Sequence, residues 1–316
     1  MKKTGYLYDL RYMLHDTGPY HPEMAERLAA IHKGIENAGL LPHLVEISAV
    51  LADMCWILNV HDETYVRRFE ELSLCGVKTL DSTDNQMCTD TFEVAQLAVG
   101  GVLKAARKIM VGEMDNAFCA VRPPGHHAEA GKAMGFCYFN NVAVCTRYLQ
   151  RKWKINRVAI IDFDVHHGNG TQHIFEEDNT VFYYSIHQHP SFTFPGTGRD
   201  FEEGVRAGKG FTKNRPILPG QGDMEYRRLF AQDLFPAMDS FQPEFIIVSA
   251  GFDAHEDDDM ADMKVTSDCF TWMMEQIMTI ANKYSKGRVI SVLEGGYVLE
   301  RLSELAEKHV QVLLSG

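Results

Sequence analysis

The sequence predicts an α/β protein with a central, mostly parallel sheet sandwiched between helices. Three observations carry that prediction. Strand-like and helix-like stretches alternate from end to end. The strand candidates are short β-branched runs bounded by glycines, as in strands buried on both faces. Three of these runs stop at polar clusters. Residues 157–161 lead into Asp162-Phe-Asp-Val-His-His-Gly-Asn-Gly170. Residues 244–248 lead into Ser249-Ala-Gly-Phe-Asp253, and residues 288–293 into Glu294-Gly-Gly-Tyr297. Open α/β sheets bind ligands beyond the carboxyl ends of their strands, so the three ends predict one shared active site.

Taken in order, strand 4–8 opens the chain and is broken by Asp9 and Arg11. Helix 22–38 follows, with Gly39 where a C-cap glycine belongs. Helix 91–111 precedes strand 117–121, which leads into Arg122-Pro-Pro-Gly. Helix 140–150, strand 158–162 and strand 181–186 come next. Helix 224–238, strand 245–249, helix 267–284, strand 289–293 and helix 299–314 complete the alternation. No internal repeat, low-complexity segment or Pro/Gly/Ser linker interrupts it. Residues 1–316 therefore read as one catalytic domain.

Composition narrows the function. Apolar residues make up 45% and charged residues 23%, as in an ordinary globular protein. With 31 Lys and Arg against 43 Asp and Glu, the net charge is −12, and no basic run occurs. No nucleic-acid partner is expected. No apolar stretch approaches the ~18–20 residues of a membrane span, and the start lacks the apolar region of a signal peptide. A cytoplasmic protein without a membrane partner is the expectation. The seven cysteines are scattered, with no CxxC pair, so free thiols are expected rather than disulfides or cysteine-bound zinc.

Asp164 and His166 are two apart, and residues at i and i+2 of an extended segment face the same side. Asp253, beyond another strand, is the best candidate for a third ligand. Two oxygens and one nitrogen with an open position make a catalytic site for zinc, with iron(II), manganese or cobalt also compatible. The plainer alternative, aspartates that merely turn the chain after a strand, does not account for two matching strand ends. A two-metal reading needs Asp-x-His-x-Asp, and position 168 is Gly. The adjacent His126 and His127 behind strand 117–121 suit acid–base work. A lone pair of this kind is as often ordinary. Tyr297, on a glycine-rich loop, places a phenol near the same edge or is a core tyrosine beside a turn.

With these motifs the chain resembles the zinc-dependent histone deacetylase family, whose superfamily includes acetylpolyamine amidohydrolases and acetoin-utilisation proteins. The resemblance rests on Arg122-Pro-Pro-Gly-His-His127, Gly135-Phe-Cys-Tyr-Phe-Asn-Asn141, Asp162 to Thr171, Phe194-Pro-Gly-Thr-Gly198, Ser249 to Asp253 and Glu294 to Tyr297. Tyr20-His-Pro-Glu23 and the Asp84 region extend it towards the start, and Asn169 points to the class II and bacterial branch. It implies the arginase/deacetylase-like fold and an amidohydrolase that removes acyl groups from a lysine side chain or a similar amine. It further implies zinc on Asp164, His166 and Asp253, with His127 as base and then acid. His126 is paired with Asp162, and Tyr297 donates to the substrate carbonyl. The Gly135 carbonyl would receive the amide N–H. Phe136 and Phe194 would wall the acyl channel, and Asp84 would anchor substrate backbone. A structural potassium ion is implied near Asp162, Asp164, His166, Ser185 and Ile186.

The residues agree with amide hydrolysis, which needs a polarised carbonyl, an activated water and a protonated leaving amine. Asn169 can accept the imidazole N–H of His127 without the full charge that an Asp would bring, leaving a free base near neutral pH. The loop after Asp253 carries five acidic residues, Glu256 to Asp259 and Asp262. It is expected at the pocket mouth, either as a merely solvated loop or as a field for cationic substrates. Polyamine-selective relatives carry an acidic gatekeeper at a spacing that matches Met260. Met260 favours acyl-lysine peptides or proteins over acetylpolyamines and other small acylated amines, unless Asp259 takes the gatekeeper's place. A silent acyl-lysine-binding module would have lost a ligand or the tyrosine. The oligomeric state, a homo-oligomer included, is left open.

Overall fold

The computed structural model describes residues 2–316. Among them ten strands form: β1 (Thr4–Leu7), β2 (Leu44–Ile47), β3 (Thr79–Leu80), β4 (Ser82–Gln86), β5 (Asn116–Cys119), β6 (Val158–Asp162), β7 (Val181–Gln188), β8 (Thr212–Ile217), β9 (Phe245–Ala250) and β10 (Val289–Leu293). Eight of them build one sheet in the order β2-β1-β5-β10-β9-β6-β7-β8, parallel throughout. β3 and β4 form a separate antiparallel pair. The α-helices are α1 (Glu26–Asn37), α2 (Met54–Ile57), α3 (Glu63–Leu74), α4 (Thr91–Met110), α5 (Asn141–Trp153), α6 (Asn169–Phe175), α7 (Asp223–Leu229), α8 (Phe235–Phe241), α9 (Ser267–Tyr284) and α10 (Leu299–Ser315). Helices α1, α10 and α9 pack together, as do α3, α4 and α5, while α10 and α4 both contact β1 and β5. The sheet therefore lies between two helical layers, as the alternation predicts.

Every residue of β5, β6, β9 and β10 is buried, which explains their mainly apolar sequences. The sheet edges differ. β8 is Thr-Lys-Asn-Arg-Pro-Ile, half-buried and with a proline that only an edge strand tolerates. Sequence periodicity misses it, together with β2, the polar β3–β4 hairpin and α3.

Two helix expectations need correction. The first helix starts at Glu26 rather than 22, because Glu23 is drawn into a buried ion cluster. Its carboxylate lies 2.5 Å from Arg122 Nε and 3.2 Å from Arg27 Nη1. The helix expected over 224–238 is α7, a π-helical turn (Phe230–Leu234) and α8, which runs on to Phe241. Pro236 has no N–H for the carbonyl one turn back, so the regular ladder cannot pass through it.

No helix of the described residues is long and apolar enough to cross a membrane. The layers enclose several neutral histidines. Burial depresses His15 and His309 to about 3, and His61 and His187 to about 4. As pH falls below ~6.5 the unfolded chain protonates these imidazoles and the folded chain does not, so stability is lost down to about pH 4. Asp258 and Glu294, raised by burial to about 6 and about 7, and His126 and His166, held up to about 10, act in the opposite sense, but His127 and His167, also pushed well below the ordinary range by burial, add to the loss. The urea midpoint should therefore fall between pH 7 and pH 5. A midpoint that rises over that interval would contradict this assignment.

Candidate active site

The four central strands β5, β10, β9 and β6 are neighbours, and all end on one edge of the sheet. The segments after them carry the Asp-x-His, Asp253, His126–His127 and Tyr297 motifs, while Phe194 follows β7 and Asp84 lies on β4. Strand β6 stops at Asp162, so Asp164 and His166 lie just past the strand rather than on it. They still meet: His166 Nδ1 is 3.2 Å from Asp164 Oδ1 and 3.1 Å from Asp253 Oδ2. One donor atom from each of the three lies within 4.8 Å of the others, and all three residues are buried. Main-chain N–H groups aim the carboxylates. Gly295 donates to Asp164 Oδ2 at 2.8 Å and Val165 to Asp253 Oδ1 at 3.0 Å. A Cβ at Gly251 would stand 2.0 Å from Asp164 Oδ2, and one at Gly295 2.1 Å from Asp253 Oδ2. Both glycines are thus required by the close approach of the carboxylates. Burial alone would depress His166, but its hydrogen bonds to Asp164 and Asp253 hold it up to about 10. Two buried carboxylates converging on an imidazole form a group that fits a divalent transition ion.

The segment after β5 brings His126 and His127 alongside, with ring centroids 4.0 Å apart. Their environments differ. His126 Nδ1 lies 3.1 Å from Asp162 Oδ2, which also accepts from the Tyr183 hydroxyl at 3.0 Å. Burial opposes its protonation, but Asp162, Asp164 and Glu294 hold His126 up to about 10. His127 Nδ1 faces Asn169 Oδ1 at 2.8 Å. Burial, then the charges of His126 and His166, push His127 well below the ordinary histidine range. One imidazole is thus kept charged and the other neutral, and divergent pairs of this kind mark acid–base sites.

A cavity of about 380 Å³ opens above these groups. Asp84, Phe136, Phe194, Met260 and Tyr297 line it with the two histidines. Phe194 stands edge-on to His127 at 5.0 Å, and Phe136 edge-on to Tyr297 at 6.3 Å. Phe136 itself has φ +68°, a left-handed conformation uncommon outside glycine. Asn85 Oδ1 accepts its N–H at 2.8 Å and fixes it there. Gly135, at φ +54°, leaves no room for a side chain, since a Cβ would meet His127 Cδ2 at 2.4 Å. Burial raises the Tyr297 phenol well above its usual range, so it stays a donor. Ser185 is the register partner of Asp162 on β7, with Ile186 beside it. A larger cavity, about 600 Å³, runs along β8 among Arg157, Asp200, Lys213 and Phe241 and contains none of the predicted site residues.

Of the five acidic residues after Asp253, Asp258 turns inward and accepts the Tyr297 N–H at 2.8 Å. Asp257 pairs with Arg301 at 2.6 Å, and Asp259 is exposed. Sequence reasoning missed several supporting groups. Glu294 Oε2 accepts the N–H groups of Gly125 and His126 at 2.7 and 3.1 Å, tying the end of β10 to the histidine segment. Arg27 donates to the Gly296 carbonyl at 2.7 Å, and its guanidinium lies 5.0 Å from the Tyr297 ring centroid. Glu129 contacts Asn169. Of these, Glu294 carried a signal, as a lone acid at the end of a mainly apolar strand.

The histone deacetylase domain profile matches residues 21–313. A probable deacetylase of Archaeoglobus fulgidus is 38% identical over 299 residues, which cover 94% of this chain and 82% of that protein. A histone deacetylase-like amidohydrolase of Pseudomonas aeruginosa is 34% identical over 313 residues, with coverages of 94% and 82%. Histone deacetylase 6 of Caenorhabditis elegans is 40% identical over 93% of this chain, which spans 32% of that longer protein. The crystal structure of the HDA15 HD domain superposes with a TM-score of 0.93 at 34% identity, covering 99% of this chain and 88% of that one. The chain belongs to the histone deacetylase family, hydrolases that release acyl groups from amides.

Proposed function

We propose that this deacetylase is a metal-dependent enzyme that removes acetyl or related acyl groups from lysine side chains. The observation that carries the reading is the buried Asp164–His166–Asp253 group beside one charged and one neutral histidine. Zinc is the assigned ion, held by those three residues. When bound it polarises the scissile carbonyl and makes a water acidic enough to lose its proton near neutral pH. His127, neutral and fixed by Asn169 through Nδ1, presents Nε2 to take that proton and later returns it to the leaving amine. His126, kept charged by Asp162, adds positive potential where negative charge develops. Tyr297 donates a hydrogen bond from its hydroxyl to the developing oxyanion. The Gly135 carbonyl accepts the amide N–H, and Asp84 accepts substrate backbone N–H groups at the mouth. We assign a structural potassium ion to Asp162, Asp164, His166, Ser185 and Ile186, where carboxylate and carbonyl oxygens of adjacent strand ends suit a hard cation. Four of the seven free cysteines are buried as thiols, which fits a reducing, cytoplasmic setting.

The walls support the substrate class. Phe136, Phe194 and Met260 offer an apolar tube for an uncharged stem, and Met260 cannot pair with a second ammonium. Asp259 is exposed and absent from the lining, so it does not serve as a gatekeeper for polyamines. The test measures kcat/KM for an acetyl-lysine peptide against N-acetylspermidine and N-acetylputrescine. The peptide should be preferred. A preference for the polyamine that Asp259→Asn abolishes would overturn the assignment.

Tyr297→Phe should lower kcat on an acetyl-lysine amide by on the order of 100–1000-fold, the usual cost of one oxyanion donor. KM should change far less, because the bond strengthens only in the transition state. Wild-type kcat in this variant would remove Tyr297 from the role.

A further inference from the structure

Behind His127 and Asn169 stand two side chains, Glu129 and His173, to which the reaction gives no role. Asn169 and His173 lie one turn apart on α6, on the same face. Both reach Glu129. Asn169 Nδ2 lies 2.5 Å from Glu129 Oε1, and His173 Nδ1 lies 2.9 and 3.0 Å from the two carboxylate oxygens. The Asn169 amide group also reaches the His127 carbonyl, at 3.3 Å. Glu129 itself is anchored by its main chain, whose N–H donates to the Lys132 carbonyl and whose carbonyl accepts from His61.

A side-chain amide can turn either its oxygen or its NH2 to a neighbour, and the surrounding partners decide which. With the oxygen towards His127, Nδ1 must carry the imidazole proton and Nε2 is left as a base. With the NH2 towards His127, Nδ1 must be the bare nitrogen, the proton sits on Nε2, and no lone pair faces the water. A carboxylate accepts only. The flipped amide would set its oxygen against Glu129 at hydrogen-bond distance, where two acceptors repel.

We propose that Glu129 is a positioning residue that fixes the Asn169 amide and thereby the tautomer of His127, with His173 holding the carboxylate from its solvent side. The inference rests on the reading of His127 as the base.

The experiment compares Glu129→Ala, Glu129→Ala with Asn169→Asp, and His127→Ala on an acetyl-lysine amide with zinc-loaded protein. Glu129→Ala should lower kcat roughly 10–100-fold, the range for losing one hydrogen bond to a charged group, with KM within about twofold. Compared on the plateau above its own acid limb, the double variant should recover most of that loss. An Asp presents an oxygen to Nδ1 however it is turned, and no Glu129 charge remains to oppose it. The acid limb of its kcat/KM profile should move up, because a full negative charge raises the imidazole pKa. A wild-type kcat in Glu129→Ala, or a double variant no more active than Glu129→Ala, overturns the proposal. If His127→Ala retained turnover, the base assignment itself would fail, whatever Glu129→Ala does.

Discussion

Asp253→Ala should strip the protein of its bound ion and lower turnover on an acetyl-lysine amide by on the order of 1000-fold or more. The loss corresponds to the several kcal/mol that a bound Lewis acid contributes to such a reaction. Asp253 is the informative position because it lies beyond β9, whereas Asp164 and His166 follow β6. Its loss therefore tests whether the two strand ends serve one ion. It also removes the acceptor of the Val165 N–H, so a modest loss of stability accompanies the change. Elemental analysis after gel filtration is the measurement. A variant that keeps a full complement of zinc would refute the ligand assignment.

His127→Ala should lower kcat by about 100- to 10,000-fold, the contribution of a positioned general acid–base group. Its metal content should stay at the wild-type level. The split follows from geometry: His127 touches Asn169 through Nδ1 and stands beside His166 without joining the Asp164–His166–Asp253 group. Zinc loss in this variant would mean that His127 acts through the metal cluster and not on the water.

The strands that carry the chemistry were legible because they are central. Burial on both faces forces apolar runs at β6, β9 and β10, and each run ends where the polar motif begins. The edges were not legible. β8 is half solvated and admits Lys213, Arg215 and Pro216, so no periodicity marks it. The helix around Pro236 read as continuous because an apolar face persists through it, although the missing N–H widens the turn. In the site, spacing could suggest that Asp164, His166 and Asp253 converge, since each lies at a strand end. It could not reveal Glu129, Arg27 or Asp258. Their roles depend on contacts with Asn169, Gly296 and Tyr297, which lie far away in the chain.

The central claim is that a single ion on Asp164, His166 and Asp253 is required for turnover. The most direct test removes all metal with a chelator, then titrates zinc back while following both binding and release of amine from an acetyl-lysine amide. We expect activity to vanish in the chelated protein and to return in proportion to bound zinc, complete at about one ion per chain. Full activity in protein shown by elemental analysis to be metal-free, or recovery that requires two ions per chain, would contradict it.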